Sequence, residues 1–188
     1  MQLQRRDFIG HGPGVSRMIL IGIGSNVAGP WGPPDETVRR ALAALDEPPL
    51  RLLKASRAIV TAPYGRTDQP DFVNAVAEID SDLEPRELLE HLHALERRAG
   101  RRRTLHWGPR TLDLDLLDYH GVVLSGLAGR EGGPPLVLPH PGIPERRFVL
   151  GPIAEIAPHW RHPVLGETAP DLLKRLEVRD RGSPQLPN

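Results

Sequence analysis

Asp113 and Asp115 stand one residue apart in the segment Thr111-Leu-Asp-Leu-Asp-Leu-Leu117. The alternation has the period of a β-strand, in which every second side chain shares a face. Leu112, Leu114 and Leu116 therefore point to a core while the two carboxylates point away from it together. At about 3.3 Å per residue they stand roughly 7 Å apart, a spacing that lets them bracket hard divalent cations. Two such ions about 3.5–4 Å apart would clamp a phosphoryl group in transfer. An isolated Asp-x-Asp is more often the solvated face of an edge strand, so the neighbours decide.

The neighbours are arginines. Residues 97–110 contain Arg97, Arg98, Arg101, Arg102, Arg103 and Arg110 and no acid, whereas residues 78–96 hold seven acids and the single base Arg86. A basic cluster by itself reads as a solvated face or a weak RNA-binding patch. Six arginines leading into two aspartates suit a metal–triphosphate site instead, with guanidinium forks for the phosphates and carboxylates for magnesium. Aromatic residues are only 4% of the chain, yet Tyr64, Phe72 and Trp107 flank this region and Phe148 follows it. A flat heteroaromatic could stack between such rings while the amide of Asn74 reads its edge. Taken singly, Phe72 and Phe148 read equally well as core residues.

The elements that must position these groups follow from periodicity. Met18 to Ile23 is an apolar run with the character of a buried strand, ending at the turn Gly24-Ser25-Asn26. Asp35 is placed to cap a helix carrying Val38, Ala41, Leu42 and Leu45 on one side. Residues 50–61 and 72–80 read as strands. Pro85 suits the first turn of a second helix, Leu88, Leu92, Leu95 and Ala99 form its apolar stripe, and Gly100 ends it. The 111–117 strand comes next, then a Gly/Pro-rich insertion at 125–135, a helical stretch from Pro144 through Leu150, and a last helix over 171–176. The order β-α-β-β-α-β predicts an α+β, ferredoxin-like βαββαβ sandwich, an antiparallel sheet with helices packed on it. Residues 18–177 are expected to form a single domain between a flexible leader (1–17) and a flexible tail (178–188).

Composition narrows the function further. The chain has 188 residues, with 24 basic and 24 acidic ones, so its net charge of +0 gives no global drive toward nucleic acid or an anionic membrane. The absence of cysteine removes disulfides, zinc–cysteine sites, iron–sulfur clusters and thiol nucleophiles. No apolar run approaches the roughly 20 residues that span a bilayer, and a cytoplasmic location is expected. Gly22-Ile-Gly24 lacks the third glycine of a dinucleotide fingerprint, since Val27 stands there, and no Walker A sequence occurs. His91 and His93 lie nearly on opposite sides of their helix and cannot chelate one ion. Ser25 has no nucleophile-elbow context. His140, in Pro139-His-Pro141, reads as structural when taken alone.

Trp107-Gly-Pro-Arg-Thr-Leu-Asp-Leu-Asp-Leu-Leu117 resembles the signature of the 6-hydroxymethyl-7,8-dihydropterin pyrophosphokinases of folate biosynthesis. Four further segments resemble that family in the same order: Ile21-Gly-Ile-Gly-Ser-Asn26, Thr61-Ala-Pro-Tyr-Gly65 with Asp68-Gln-Pro-Asp-Phe-Val-Asn74, Leu138-Pro-His-Pro141 with Arg146-Arg-Phe148, and Pro152 to Pro158. The resemblance implies an ATP-dependent transferase, a pyrophosphokinase, that passes the pyrophosphoryl group of ATP to the pterin hydroxymethyl oxygen and releases AMP. It implies two Mg2+ ions held by Asp113 and Asp115. Arg110, Arg103 and Arg101 would act on the transferring phosphates, and Glu96, Trp107, Arg110, His140 and Arg146 would bind ATP. Pterin would stack between Phe72 and Phe148, with Thr61, Ala62, Tyr64, Asn74 and Trp107 around it. Partners beyond ATP and the pterin are not expected: no nucleic acid, no membrane, and a monomer. The loops at 62–71 and 97–106 are expected to order over ATP. Family members often carry tyrosine where Phe72 stands, which removes a hydroxyl and keeps the stacking face.

Two other functions fit parts of the pattern. A metal-dependent phosphohydrolase or nuclease would use the same aspartates with water as acceptor. A ferredoxin-like RNA-binding module would use Arg97–Arg103 as a phosphate track, leaving the aspartate pair without a purpose.

Overall fold

The computed structural model describes residues 18–63, 68–101, 108–127 and 136–182. β1 (Ile19–Ser25) is followed by α1 (Pro34–Ala44), β2 (Leu50–Ala55), β3 (Ile59–Thr61), β4 (Phe72–Ser81), α2 (Pro85–Arg98) and β5 (Asp113–Tyr119). A short ribbon of β6 (Leu124–Leu127) and β7 (Leu136–Leu138) then leads to a 3-10 turn at Ile143–Glu145, α3 (Arg147–Ile156) and α4 (Ala169–Gly182). The main sheet has the order β2-β4-β1-β5, and β3 pairs with β4 beside β2. Every pairing is antiparallel. This is the ferredoxin-like α+β arrangement that the element order predicts.

β1 sits centrally because both its faces are apolar over most of its length. Ile19, Ile21 and Ile23 pack with Val38, Ala41 and Leu45 and with Leu88, Leu92 and Leu95, the predicted stripes of α1 and α2. Leu88, Leu92 and Leu95 are each at most 2% exposed, and such burial contributes about 1.5–3 kcal/mol per leucine. Pro85 opens α2, Glu84 and Glu87 form a reciprocal capping box, and Gly100 follows its end at φ +83°, a conformation natural to glycine. On the opposite face Leu20, Val76 and Leu117 meet Leu150, Ile153, Trp160, Leu172 and Leu176 from α3, α4 and the segment between them. Helices therefore cover both faces of the sheet. The second layer stops short of Gly22 and Gly24, and a cleft opens there.

Several boundaries differ from the sequence expectation. The 50–61 strand is two strands, because Ser56 turns inward. Its N–H donates to Val76 O (2.9 Å) and its hydroxyl accepts from Val76 N–H (3.0 Å), taking the place of a strand residue. α1 is not capped by Asp35: Pro33 is the N-cap, and Asp35 lies in the first turn, where its charge favours the helix dipole. The helix expected from Pro144 to Leu150 is a 3-10 turn followed by the longer α3. The last helix runs from Ala169 to Gly182, into the segment expected to be a flexible tail. The insertion at 125–135 begins within β6 rather than in open loop. Residues 1–17 and 183–188 and the larger part of the insertion lie outside the described residues. No described helix is long and apolar enough to cross a membrane.

Candidate active site

The sheet register builds the site. Gly24 pairs with Asn74 on β4 and Asp113 on β5, and Gly22 pairs with Val76 and Asp115. Residues paired across antiparallel strands project to the same face, so Asn74 and Asp113 rise on either side of a bare glycine floor. A Cβ at Gly24 would stand 3.1 Å from Asn74 Oδ1 and 3.8 Å from Phe72 Cδ1 and Asp113 Cβ, and it would fill the space the cleft occupies. Thr61, Ala62, Gln69, Phe72, Asn74 and Phe148 line one portion of this cleft, and Gly108, Arg110, Asp113, Asp115 and Arg146 another. Asn74 Nδ2 donates to Thr61 Oγ1 at 2.8 Å, which fixes the amide plane. The second N–H and Oδ1 of Asn74 are without partners among the described residues, so the amide can both give and take a hydrogen bond.

The charged end is a chain of ion pairs. Arg101 Nη1 donates to both Glu96 Oε1 and Asp113 Oδ1, and Arg110 Nη1 donates to Asp113 Oδ2. Glu96 Oε1 also accepts Leu114 N–H at 2.9 Å. Burial alone would lower the Arg101 pKa, but Asp113 and Glu96 outweigh it and the net shift is upward. Asp115 is pushed up to about 7, first by burial and next by the Asp113 charge, against the pull of Arg146 and Arg110. Two carboxylates crowded at the floor of a cleft make a position where a cation is favoured.

His140 is anchored by its own N–H on Leu117 O (2.8 Å), and its Nδ1 accepts Gly142 N–H at 3.0 Å. Burial and then Arg146 push its pKa down to about 4, so it is neutral at pH 7 with its proton on Nε2, a donor that adds no charge. Arg146 lies against Gly142, where a Cβ would come within 2.7 Å of the guanidinium carbon, and 5.9 Å from the Phe148 ring centre.

Of the residues singled out from sequence, Thr61, Ala62, Phe72, Asn74, Arg110, Asp113, Asp115, Arg146 and Phe148 meet in the one cleft. Arg101 reaches Asp113, and His140 is close enough for Asp113 and Arg146 to act on its charge. Glu96 does not line the cleft: it is 3% exposed and stands behind Asp113, holding Arg101 and the backbone of Leu114. Tyr64, Arg103 and Trp107, and part of each of the two loops expected to order over ATP, lie outside the described residues. The role of Gly22 and Gly24 as a floor is not among the sequence expectations. Their signal was two glycines at strand spacing in an otherwise isoleucine-rich strand. Gln69 and Asn26 carried no such signal.

Comparison with known proteins adds the chemistry. The profile of the family described as 7,8-dihydro-6-hydroxymethylpterin-pyrophosphokinase matches residues 20–158. The chain is 42% identical over 156 residues to 2-amino-4-hydroxy-6-hydroxymethyldihydropteridine pyrophosphokinase of Pseudomonas aeruginosa, covering 82% of this chain and 89% of that protein. The enzyme of the same name from Methylorubrum extorquens is 38% identical over 157 residues, covering 84% and 92%. The crystal structure of Plasmodium falciparum HPPK-DHPS shares the fold, with a TM-score of 0.67 at 13% identity over 87% of this chain and 44% of that one.

Proposed function

The chain belongs to the 7,8-dihydro-6-hydroxymethylpterin-pyrophosphokinase family, and from that premise we propose how its residues carry out the transfer. It is an ATP-dependent diphosphotransferase of folate biosynthesis. It moves the pyrophosphoryl group of ATP to the hydroxymethyl oxygen of 6-hydroxymethyl-7,8-dihydropterin and releases AMP. The observation that supports the residue assignment is the row Asn74–Gly24–Asp113, in which an amide and a carboxylate share one face across a bare glycine.

Phe72 and Phe148 are assigned to the pterin faces, and Asn74, oriented by Thr61, to its hydrogen-bonding edge. Ala62 and, by resemblance, Tyr64 and Trp107 complete that wall. Arg110 and Arg146 present guanidiniums to the phosphates, with Arg101 and, by resemblance, Arg103 beside them. Their fixed charge stabilises the phosphate oxygens as the bond from the β-phosphorus to the α-phosphate oxygen breaks. His140 supplies a neutral Nε2–H donor to the nucleotide, and Glu96 acts through Arg101.

Asp113 and Asp115 suit Mg2+: both are hard oxygen donors, and the raised Asp115 marks a place that favours a cation. No cluster of three or more metal-binding side chains occurs among the described residues, so phosphates and waters would complete the coordination, as Mg2+ prefers. When bound, two Mg2+ ions would neutralise phosphate charge and acidify the attacking hydroxyl. The pterin oxygen bonds to the β-phosphorus, its proton passes to solvent, and AMP departs. Positioning and electrostatics supply most of the acceleration.

The test is a nucleotide product assay with ATP, Mg2+ and the pterin, run with and without the pterin. Pterin-dependent AMP without ADP or free phosphate is expected. ADP or phosphate formed without pterin would replace this reading with that of a metal-dependent phosphohydrolase.

A further inference from the structure

We propose that Asn26 is a positioning residue: its buried amide latches the segment carrying Gln69 to the segment carrying Arg110, fixing one part of the cleft relative to the other. Asn26 directly follows β1 and is 2% exposed. Its Oδ1 accepts Arg110 N–H at 2.8 Å, and its own main-chain N–H donates to Arg110 O at 3.1 Å. Its Nδ2 donates to Gln69 Oε1 and to Pro70 O, each at 3.1 Å. The preceding residue ties down the same segment, since Ser25 Oγ donates to Thr111 O at 2.6 Å. Arg110 and Gln69 both line the cleft, although no regular strand or helix joins their segments.

The chemistry of the position calls for a carboxamide. The Pro70 carbonyl can only accept, so residue 26 must offer a donor there, whereas Arg110 N–H needs an acceptor. Asparagine meets both demands with one rigid group. Aspartate has the same shape and keeps the acceptor for Arg110, but it turns the other arm into oxygen facing oxygen. Serine is too short to serve either arm.

The functional half of the proposal rests on the assignment of pterin and phosphate contacts above. In-line transfer tolerates little error in the separation of acceptor and phosphate, and a displacement of about 1 Å costs about 100-fold in rate. The latch therefore acts on turnover more than on the affinity for either substrate. Two measurements test it. Hydrogen exchange on the wild-type protein should show the Arg110 amide protected like the sheet core, although it lies outside every strand; rapid exchange there would overturn the latch. Asn26→Asp should lower kcat about 10- to 100-fold while each KM stays within about 3-fold. A parental kcat, or a change confined to KM, would overturn the positioning role. Should Asn26→Asp fail to fold, the exchange experiment decides alone. A wild-type protein that makes no AMP from pterin would defeat the functional assignment while exchange at Arg110 still judged the latch.

Discussion

Trp160→Phe separates two contributions that normally arrive together. The indole is fully buried and donates Nε1–H to Asp118 Oδ2 at 2.7 Å, while Gly121 N–H donates to Oδ1 at 3.0 Å. Burial pushes the Asp118 carboxyl up to about 6, and these hydrogen bonds oppose the rise, with Trp160 the largest of them. Because the folded value lies above the ordinary carboxylate range, ionised Asp118 works against the fold. That penalty is fully present above about pH 6 and disappears as pH falls through about 4. Removing the Trp160 donor raises the folded value further and deepens the penalty. A hydrogen bond to a charged group contributes about 1.5–3 kcal/mol. The smaller ring leaves roughly 40 Å³ unfilled, about 1 kcal/mol at ~24 cal/mol per Å³. A loss of about 3 kcal/mol is therefore expected at pH 8, where Asp118 is ionised in both proteins. At pH 5 the parent's Asp118 is mostly protonated and accepts the indole N–H only as a neutral group, so the loss should shrink to about 2 kcal/mol. Urea unfolding followed by circular dichroism at the two pH values, with equal slopes as a check, measures both numbers. An equal loss at pH 5 and pH 8 would show that the indole gives the ionised Asp118 no stabilisation beyond what it gives the neutral acid.

Other substitutions probe the cleft. Asp113→Asn or Asp115→Asn should abolish Mg2+-dependent AMP formation; wild-type rates in either would remove the metal assignment. Asp115→Asn should also leave the metal-free Tm at pH 8 unchanged or higher, because it deletes a carboxylate whose ionisation burial opposes, and a clear fall in Tm would contradict that. Gly24→Val fills the space between Asn74, Phe72 and Asp113, and its Cβ alone already crowds Asn74 Oδ1 at 3.1 Å. The variant should fold with a lowered Tm and lose pterin binding by more than about 10-fold; pterin titration of the folded variant is the check. Arg110→Lys should reduce kcat/KM by about 10-fold or more, since an ammonium cannot reproduce the guanidinium fork, and parental kinetics would rule the fork out.

Local patterns determined a good deal of this protein. Leucines alternating with Asp113 and Asp115 dictate a strand with both carboxylates on one side, because the pleat leaves no other choice. The stripe on α2 and the glycine beyond it define a helix and its end within a single segment. The motif from Trp107 to Leu117, with four further segments in the same order, also carries the family resemblance. The tertiary structure decided what required distant segments to meet. Nothing near Asn74 announces that it pairs with Gly24, and nothing near Gly24 announces Asp113; strand order and register alone make the three a row. Ser56 breaks a plausible strand only because Val76 lies alongside to bond its hydroxyl. Glu96 stands behind the cleft because β5 packs on α2, a long-range contact. Asn26 becomes a latch only where loops from two other regions converge on its amide. Periodicity acts over a few residues and is written in the chain, whereas pairing, burial and charge depend on what the rest of the molecule brings alongside.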